Sequence, residues 1–167
     1  MKIAFYIGDH AKDSLTTQIG YRITRSVQRA PYSNVTHVEA VLAGPFDDGQ
    51  FEIASSSVRD SGVRIKRCDL SPEKWIFVEV PQFDAAKSMA WFELHAGESY
   101  DYIGAIGTGV CSFGDNKSKW FCSEAVGASV GVNSPHYFGP AAFIALCLSM
   151  PGSYICDYLG EPCQRSR

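Results

Sequence analysis

The stretch "THVEAVLAGPFDDGQFEIASSS" (Thr36–Ser57) decides how the chain is read. Its first part alternates: Val38, Ala40 and Leu42 fall on one face, His37, Glu39 and Val41 on the other. "GPFDDGQ" is a turn by composition, and "FEIASSS" returns as the partner of a hairpin. Working outward, "GVRIKRCDL" and "WIFVEVP" are two more strands separated by "SPEK", with Pro81 closing the second. "KIAFYIG" opens the chain as a further strand that stops at Gly8.

On either side of these strands the period changes. Leu15, Ile19 and Ile23 recur at four-residue steps in "DSLTTQIGYRITRSVQRA", which predicts a short helix ended by Pro31. Phe83, Ala86, Ala90 and Leu94 predict a second, with Asp84 as an early acid and Gly97 as its stop. "YDYIGAIGTGVCSFGDNK" is glycine-rich and aromatic, and is expected to be a packed loop holding a helical turn. "KWFCSEAVGASVG" is a small-residue helix stopped by Gly131. "FGPAAFIALCLSMPG" starts one with Pro140 near its first position and ends before Pro151. Strands first and helices later predict an α+β fold, an antiparallel β-sheet or barrel packed against helices.

The 167 residues fit one domain, 1–167, with a core over about 1–150 and a loose tail at 151–167. A net charge of −3 and pI near 5.8 give no reason to expect nucleic acid as a partner. No apolar run reaches the roughly 18 residues of a membrane span, and the apolar start is shorter than the roughly 7–15 residues of a signal-peptide core. A cytoplasmic location without an integral membrane segment is the expectation. The six cysteines include no CxxC pair, so neither a zinc ribbon nor another metal or cofactor is expected. Cys156 and Cys163 are expected to pair only if the protein is exported.

One cysteine stands apart. Cys122 falls where the aromatic run "KWF" becomes a helix, with Glu124 in the first turn. A helix N-terminus stabilises a thiolate and offers amide donors to an oxyanion. A nucleophile needs a base, and there are four histidines. His10 lies in a charged loop, His95 near a helix end, and His136 in a loop after Pro135. His37 sits on a strand, a rigid mount, with Glu39 on its own face.

"YSNVTHVEAVL" (Tyr32–Leu42), "ASSSVRDSGVRIK" (Ala54–Lys66) and, much later, "WFCSEAVG" together resemble a circularly permuted member of the NlpC/P60 papain-like superfamily. The nearest group is the YiiX/YaeF-like proteins; lecithin:retinol acyltransferase is more distant. Ordinary members carry the Cys helix before the His strand, whereas the permuted ones reverse that order, as His37 and Cys122 do. The resemblance covers roughly residues 1 to 150. It implies a cysteine-dependent hydrolase or acyltransferase on an amide or ester, such as a peptidoglycan stem peptide or a lipid acyl group.

The resemblance also implies a polar residue on the strand after the histidine, orienting the imidazole. Candidates are Glu52, Ser55, Ser56 and Ser57. Parity favours Ser55, then Ser57, with Glu39 as a rival on the histidine's own strand. Tyr32, Ser33, Tyr100 and Tyr102 are candidates to line a substrate groove. The competing reading is a non-catalytic binding module that keeps the fold.

Overall fold

The computed structural model describes residues 1–8, 32–107 and 118–163. The helix expected over residues 13–30 therefore lies outside the described residues, as does most of the glycine-rich loop and His10.

Among the described residues, eight strands form one open sheet: β1 (Lys2–Tyr6), β2 (His37–Ala43), β3 (Phe51–Ser57), β4 (Gly62–Cys68), β5 (Trp75–Glu79), β6 (Ser99–Tyr100), β7 (Lys119–Trp120) and β8 (Tyr154–Cys156). Their order is β7-β6-β4-β3-β2-β1-β5-β8. The five long strands are the ones the alternation predicts. They pair antiparallel throughout, but β6 and β7 run parallel, so the sheet is mixed. The barrel alternative is corrected: β7 and β8 are the two edges and do not close on one another. The tail expectation is corrected too. Tyr154–Cys156 pairs with β5, and the Cys163 N–H donates to the Ile155 carbonyl at 3.0 Å. Cys156 and Cys163 are both free thiols.

Helices α1 (Ala85–His95), α2 (Tyr102–Gly107), α3 (Cys122–Ser129) and α4 (Pro140–Ser149) complete the described fold. Asp84 caps α1, its carboxylate accepting from the Ala86 and Lys87 amides at 2.9 and 3.3 Å. Pro140 opens α4, where its missing N–H costs nothing. Alternation along each strand gives the sheet two apolar faces. Ile3, Phe5, Val38, Ala40, Ala54, Val63 and Val78 meet Phe92, Ala125, Val126, Phe143 and Ile144 of the helices. The opposite face buries Ala4, Val41, Phe51, Ile53, Leu70 and Phe77 in a smaller cluster. His37 and Glu39 share the parity of Val41, on this second face.

The Cys-bearing helix lies flat on β2 and β3 because its sheet side is Ala125 and Val126, fully buried and small. At the other margin, Gly62 pairs with Ser99 at φ 151°, and a Cβ there would stand 1.9 Å from the Glu98 carbonyl oxygen. That contact permits no side chain. Gly62→Ala is expected to push β6 off β4 and lower the urea midpoint; an unchanged midpoint would mean the edge relaxes without cost.

Candidate active site

β2 and α3 converge at their N-terminal ends. His37 is the first residue of β2, and Cys122 is the first of α3. The Cys122 sulfur lies beside the His37 imidazole, close enough to favour the charged form of the ring. His37 Nε2 also lies 2.7 Å from Glu39 Oε1. The strand period explains that second contact: residues two apart share a face, so the base and its carboxylate project from one strand.

Glu39 is 3% exposed, and a lone carboxylate there would be costly. Arg64, 13% exposed, supplies the compensation. Its Nη1 donates to Glu39 Oε2 at 2.7 Å and its Nη2 to Oε1, a two-pronged pair. Its Nε donates to Asp60 Oδ2 at 2.8 Å, and Lys66 Nζ reaches the same oxygen at 2.7 Å. A single chain of charge thus runs from His37 through Glu39 and Arg64 to Asp60 and Lys66.

Arg64 sits on β4 and Glu39 on β2, with β3 between them. The residue opposite Arg64 on β3 is Ser55. The strands flanking β3 are roughly 9–10 Å apart, twice the usual spacing, within reach of an arginine if nothing bulky intervenes. Ser55 is the small residue that leaves the path open. Its hydroxyl donates to the Val38 carbonyl at 2.6 Å, not to the imidazole. The expectation that Ser55 orients His37 is therefore corrected: the contact belongs to Glu39. Ser57 lines the same side as His37, while Glu52 falls on the parity of Ala54, the helix side. Ser55→Val is expected to cost about 1–3 kcal/mol by overpacking and to displace Arg64 from Glu39. Urea unfolding checks the first; a Ser55→Val protein as stable as the parent would refute the spacer role.

The cysteine is anchored separately. Ser56, buried on the helix side of β3, donates to the Trp120 carbonyl at 2.6 Å, just ahead of the turn. Ser123 donates to the Phe138 carbonyl at 2.7 Å. The helix N-cap is Phe121, which has no acceptor to offer the first amides. Glu124 instead reaches back, accepting from the Phe121 N–H at 3.3 Å. The opening amides of α3 are thus left without a side-chain cap from Phe121, an arrangement suited to holding an oxyanion.

Electrostatics follow from this packing. Burial opposes an imidazolium at His37, but the Glu39 carboxylate and the Cys122 sulfur outweigh it and hold the ring well above its usual value, at about 9. Burial likewise opposes the Glu39 carboxylate, yet Arg64 and then His37 hold it well below its usual range, at about 2. The His37 contribution to stability is full below pH 6.5 and disappears as pH rises through about 9. The Glu39 contribution is full above pH 4.5 and disappears as pH falls through about 2. The stability difference between the parent and a His37→Gln/Glu39→Gln double variant is therefore expected to plateau between pH 4.5 and 6.5 and to shrink on both sides. A difference independent of pH in urea titrations would refute the linkage.

An open pocket of about 470 Å³, mouth included, adjoins His37 and Glu39 on this face. Its walls include Tyr6, Trp75, Ser57, Arg59, Arg64 and Lys66. The Tyr6 and Trp75 rings meet edge to face at 5.0 Å, and Trp75 lies 6.4 Å from the His37 ring. Tyr32, Ser33 and Tyr102, the expected groove residues, are not among these walls. Tyr32 forms a turn at φ 72° and packs on the main core, Ser33 is exposed, and Tyr102 is 58% exposed beside Tyr100. His95 stacks on Trp91 at 4.1 Å, and His136 lies beside Tyr137. Arg64, Tyr6 and Trp75 were not singled out by spacing or motif; only the register of β1, β4 and β5 places them.

Among the described residues, no group of three His, Cys, Asp or Glu side chains is placed to hold a metal ion, and no helix is long and apolar enough to cross a membrane. No protein-family model matches the chain, and neither a curated protein nor a solved structure matches it.

Proposed function

We propose that the protein is a cysteine-dependent enzyme that acts on an amide or ester through a thioacyl intermediate, as a hydrolase or an acyltransferase. The observation that carries this reading is one imidazole held 2.7 Å from Glu39 and set beside the Cys122 sulfur, which favours its charged form. Nε2 is held by the carboxylate, so Nδ1 is the nitrogen that exchanges a proton with the sulfur. The thiolate attacks the acyl carbonyl, and the α3 amides receive the developing oxyanion. The imidazolium gives its proton to the leaving amine or alcohol. His37 then takes a proton from water or another acceptor, which attacks the thioester and releases Cys122. Glu39 stabilises the imidazolium and fixes its orientation, as a carboxylate does in other nucleophile–histidine pairs. The order of His37 before Cys122, on a strand and then a helix laid on one sheet, supports the resemblance to the permuted papain-like enzymes. Peptidoglycan stem peptides and lipid acyl groups are the substrate classes that resemblance offers.

Trapping the intermediate tests this. The protein is mixed with 4-nitrophenyl butyrate, quenched in acid and mapped by mass spectrometry. The acyl mass is expected on Cys122, although that residue is only 4% exposed and Cys163 is exposed. His37→Ala is expected to abolish the adduct. Acylation of Cys163 with none on Cys122 would sink the proposal. It would leave the second reading, a binding module, which the low exposure of Cys122 favours.

A further inference from the structure

Trp120, in the aromatic run ahead of Cys122, is held by both its backbone and its ring. Its carbonyl accepts from Ser56 Oγ at 2.6 Å and from the Asp101 N–H at 3.0 Å, so both lone pairs are used. Its indole N–H donates to Glu98 Oε2. The ring stands edge to face with Trp91 at 4.9 Å and with His95 at 5.4 Å. Trp91 and His95 are four apart on α1, so they share a helix face, and their rings stack at 4.1 Å. His95 Nδ1 lies 3.1 Å from the same Glu98 oxygen. Glu98 is itself fixed through its main chain. Its N–H donates to the His95 carbonyl at 3.1 Å, and its carbonyl accepts from the Val63 N–H at 2.9 Å. One acidic side chain thus ties the end of α1 and the start of β4 to the residue that leads into α3. Phe121 alone separates this clamp from the cysteine. Two bonds to a carbonyl hold its position but let the peptide rock about the C=O axis; a fixed indole removes that freedom.

We propose that Glu98 is a positioning residue for Cys122: by holding the Trp120 indole, it sets where α3 presents the sulfur to His37. This rests on the reading of Cys122 as a nucleophile, and Glu98 acts on the sulfur through Trp120. Misplacing reacting groups by about 1 Å can cost about 10²-fold in rate. The Glu98 side chain is 34% exposed, so its bonds contribute little to folding. A large effect on reactivity with a small effect on stability is what separates positioning from a merely structural role.

Alkylation by iodoacetamide in the full chain, mapped to each cysteine by mass spectrometry, tests the clamp. Glu98→Ala is expected to slow labelling of Cys122 about tenfold or more while the urea midpoint stays near the parent's. Trp120→Phe keeps a ring against Trp91 but deletes the N–H, and is expected to slow labelling to the same extent. Glu98→Gln, whose amide oxygen still accepts from the indole, is expected to restore most of the rate. Cys163, which is exposed, is the internal reference and is expected to label alike in every protein. Parental labelling of Cys122 in either Glu98→Ala or Trp120→Phe would overturn the proposal, as would its absence from all four proteins. So would a loss that follows a fall in the urea midpoint and that Glu98→Gln leaves unrestored. The 4-nitrophenyl butyrate adduct is read separately. A parent that forms none, with the alkylation differences intact, removes the acyl reading and leaves the clamp. A parent that forms it, with variants that alkylate as fast as the parent, removes the clamp alone.

Discussion

Replacing Glu39 with glutamine is expected to slow alkylation of Cys122 by iodoacetamide at pH 6 by about 10²-fold or more, the scale of losing the partner of a catalytic histidine. The side chain keeps its shape, but the charge that outweighs burial at His37 is gone. Burial then dominates and the imidazolium is disfavoured. The imidazolium on which the proposed activation of Cys122 depends is then depopulated. The pH profile separates this effect from a loss of folding. In the parent, the imidazolium persists until pH rises through about 9. In Glu39→Gln that upper limb is expected to move to lower pH, because burial is then opposed by the Cys122 sulfur without the carboxylate. A variant that is folded by circular dichroism yet shows the parental profile would remove Glu39 from the mechanism.

Arg64→Met is expected to destabilise the fold by about 3 kcal/mol at pH 7, because it strands a carboxylate that burial has cut off from water. For a chain of this length the loss corresponds to about 10 °C in midpoint. Methionine retains most of the apolar stem, so the lost charge rather than lost packing dominates. The sign with pH is fixed. Parental stability from Glu39 is present above pH 4.5 and lost as pH falls through about 2. In the variant Glu39 protonates more easily, so the gap between the two proteins should narrow as pH drops below 4.5. Removing both charges, in Arg64→Met/Glu39→Gln, is expected to cost less than the sum of the single changes. Strict additivity, or a loss below about 0.5 kcal/mol, the range of an ordinary surface change, would show that water already reaches the pair.

Much of this architecture was legible because period and punctuation agreed. Thr36–Ser57 reads as a hairpin, and β2 and β3 fall inside it. Asp84 and Pro140 mark helix starts by their capping chemistry, and α1 and α4 begin beside them. β6 and β7 were not legible: two residues each show no alternation, and their pairing depends on a contact between segments far apart in sequence. The histidine and cysteine were legible as candidates because a strand start and a helix start are both recognisable. The partner of the histidine was legible only as a choice between Ser55 and its rival Glu39, since face parity alone cannot show where a hydroxyl turns. Ser55 does share the face of His37, but its proton goes to the Val38 carbonyl. Arg64 was hidden for a related reason. In sequence it is one cation among several in "VRIKRC", and only the three-strand register brings it across Ser55 to Glu39.

Because His37 and Glu39 are rooted in the same strand, they translate together as a single solid piece, with Arg64 riding on a neighbour in the same sheet. The sulfur belongs to a different body, the helix. Any breathing of the molecule that parts Cys122 from His37 must therefore occur at the seam where α3 leans on β2 and β3. The links from His37 to Glu39 and on to Arg64 lie within the sheet and do not cross that seam.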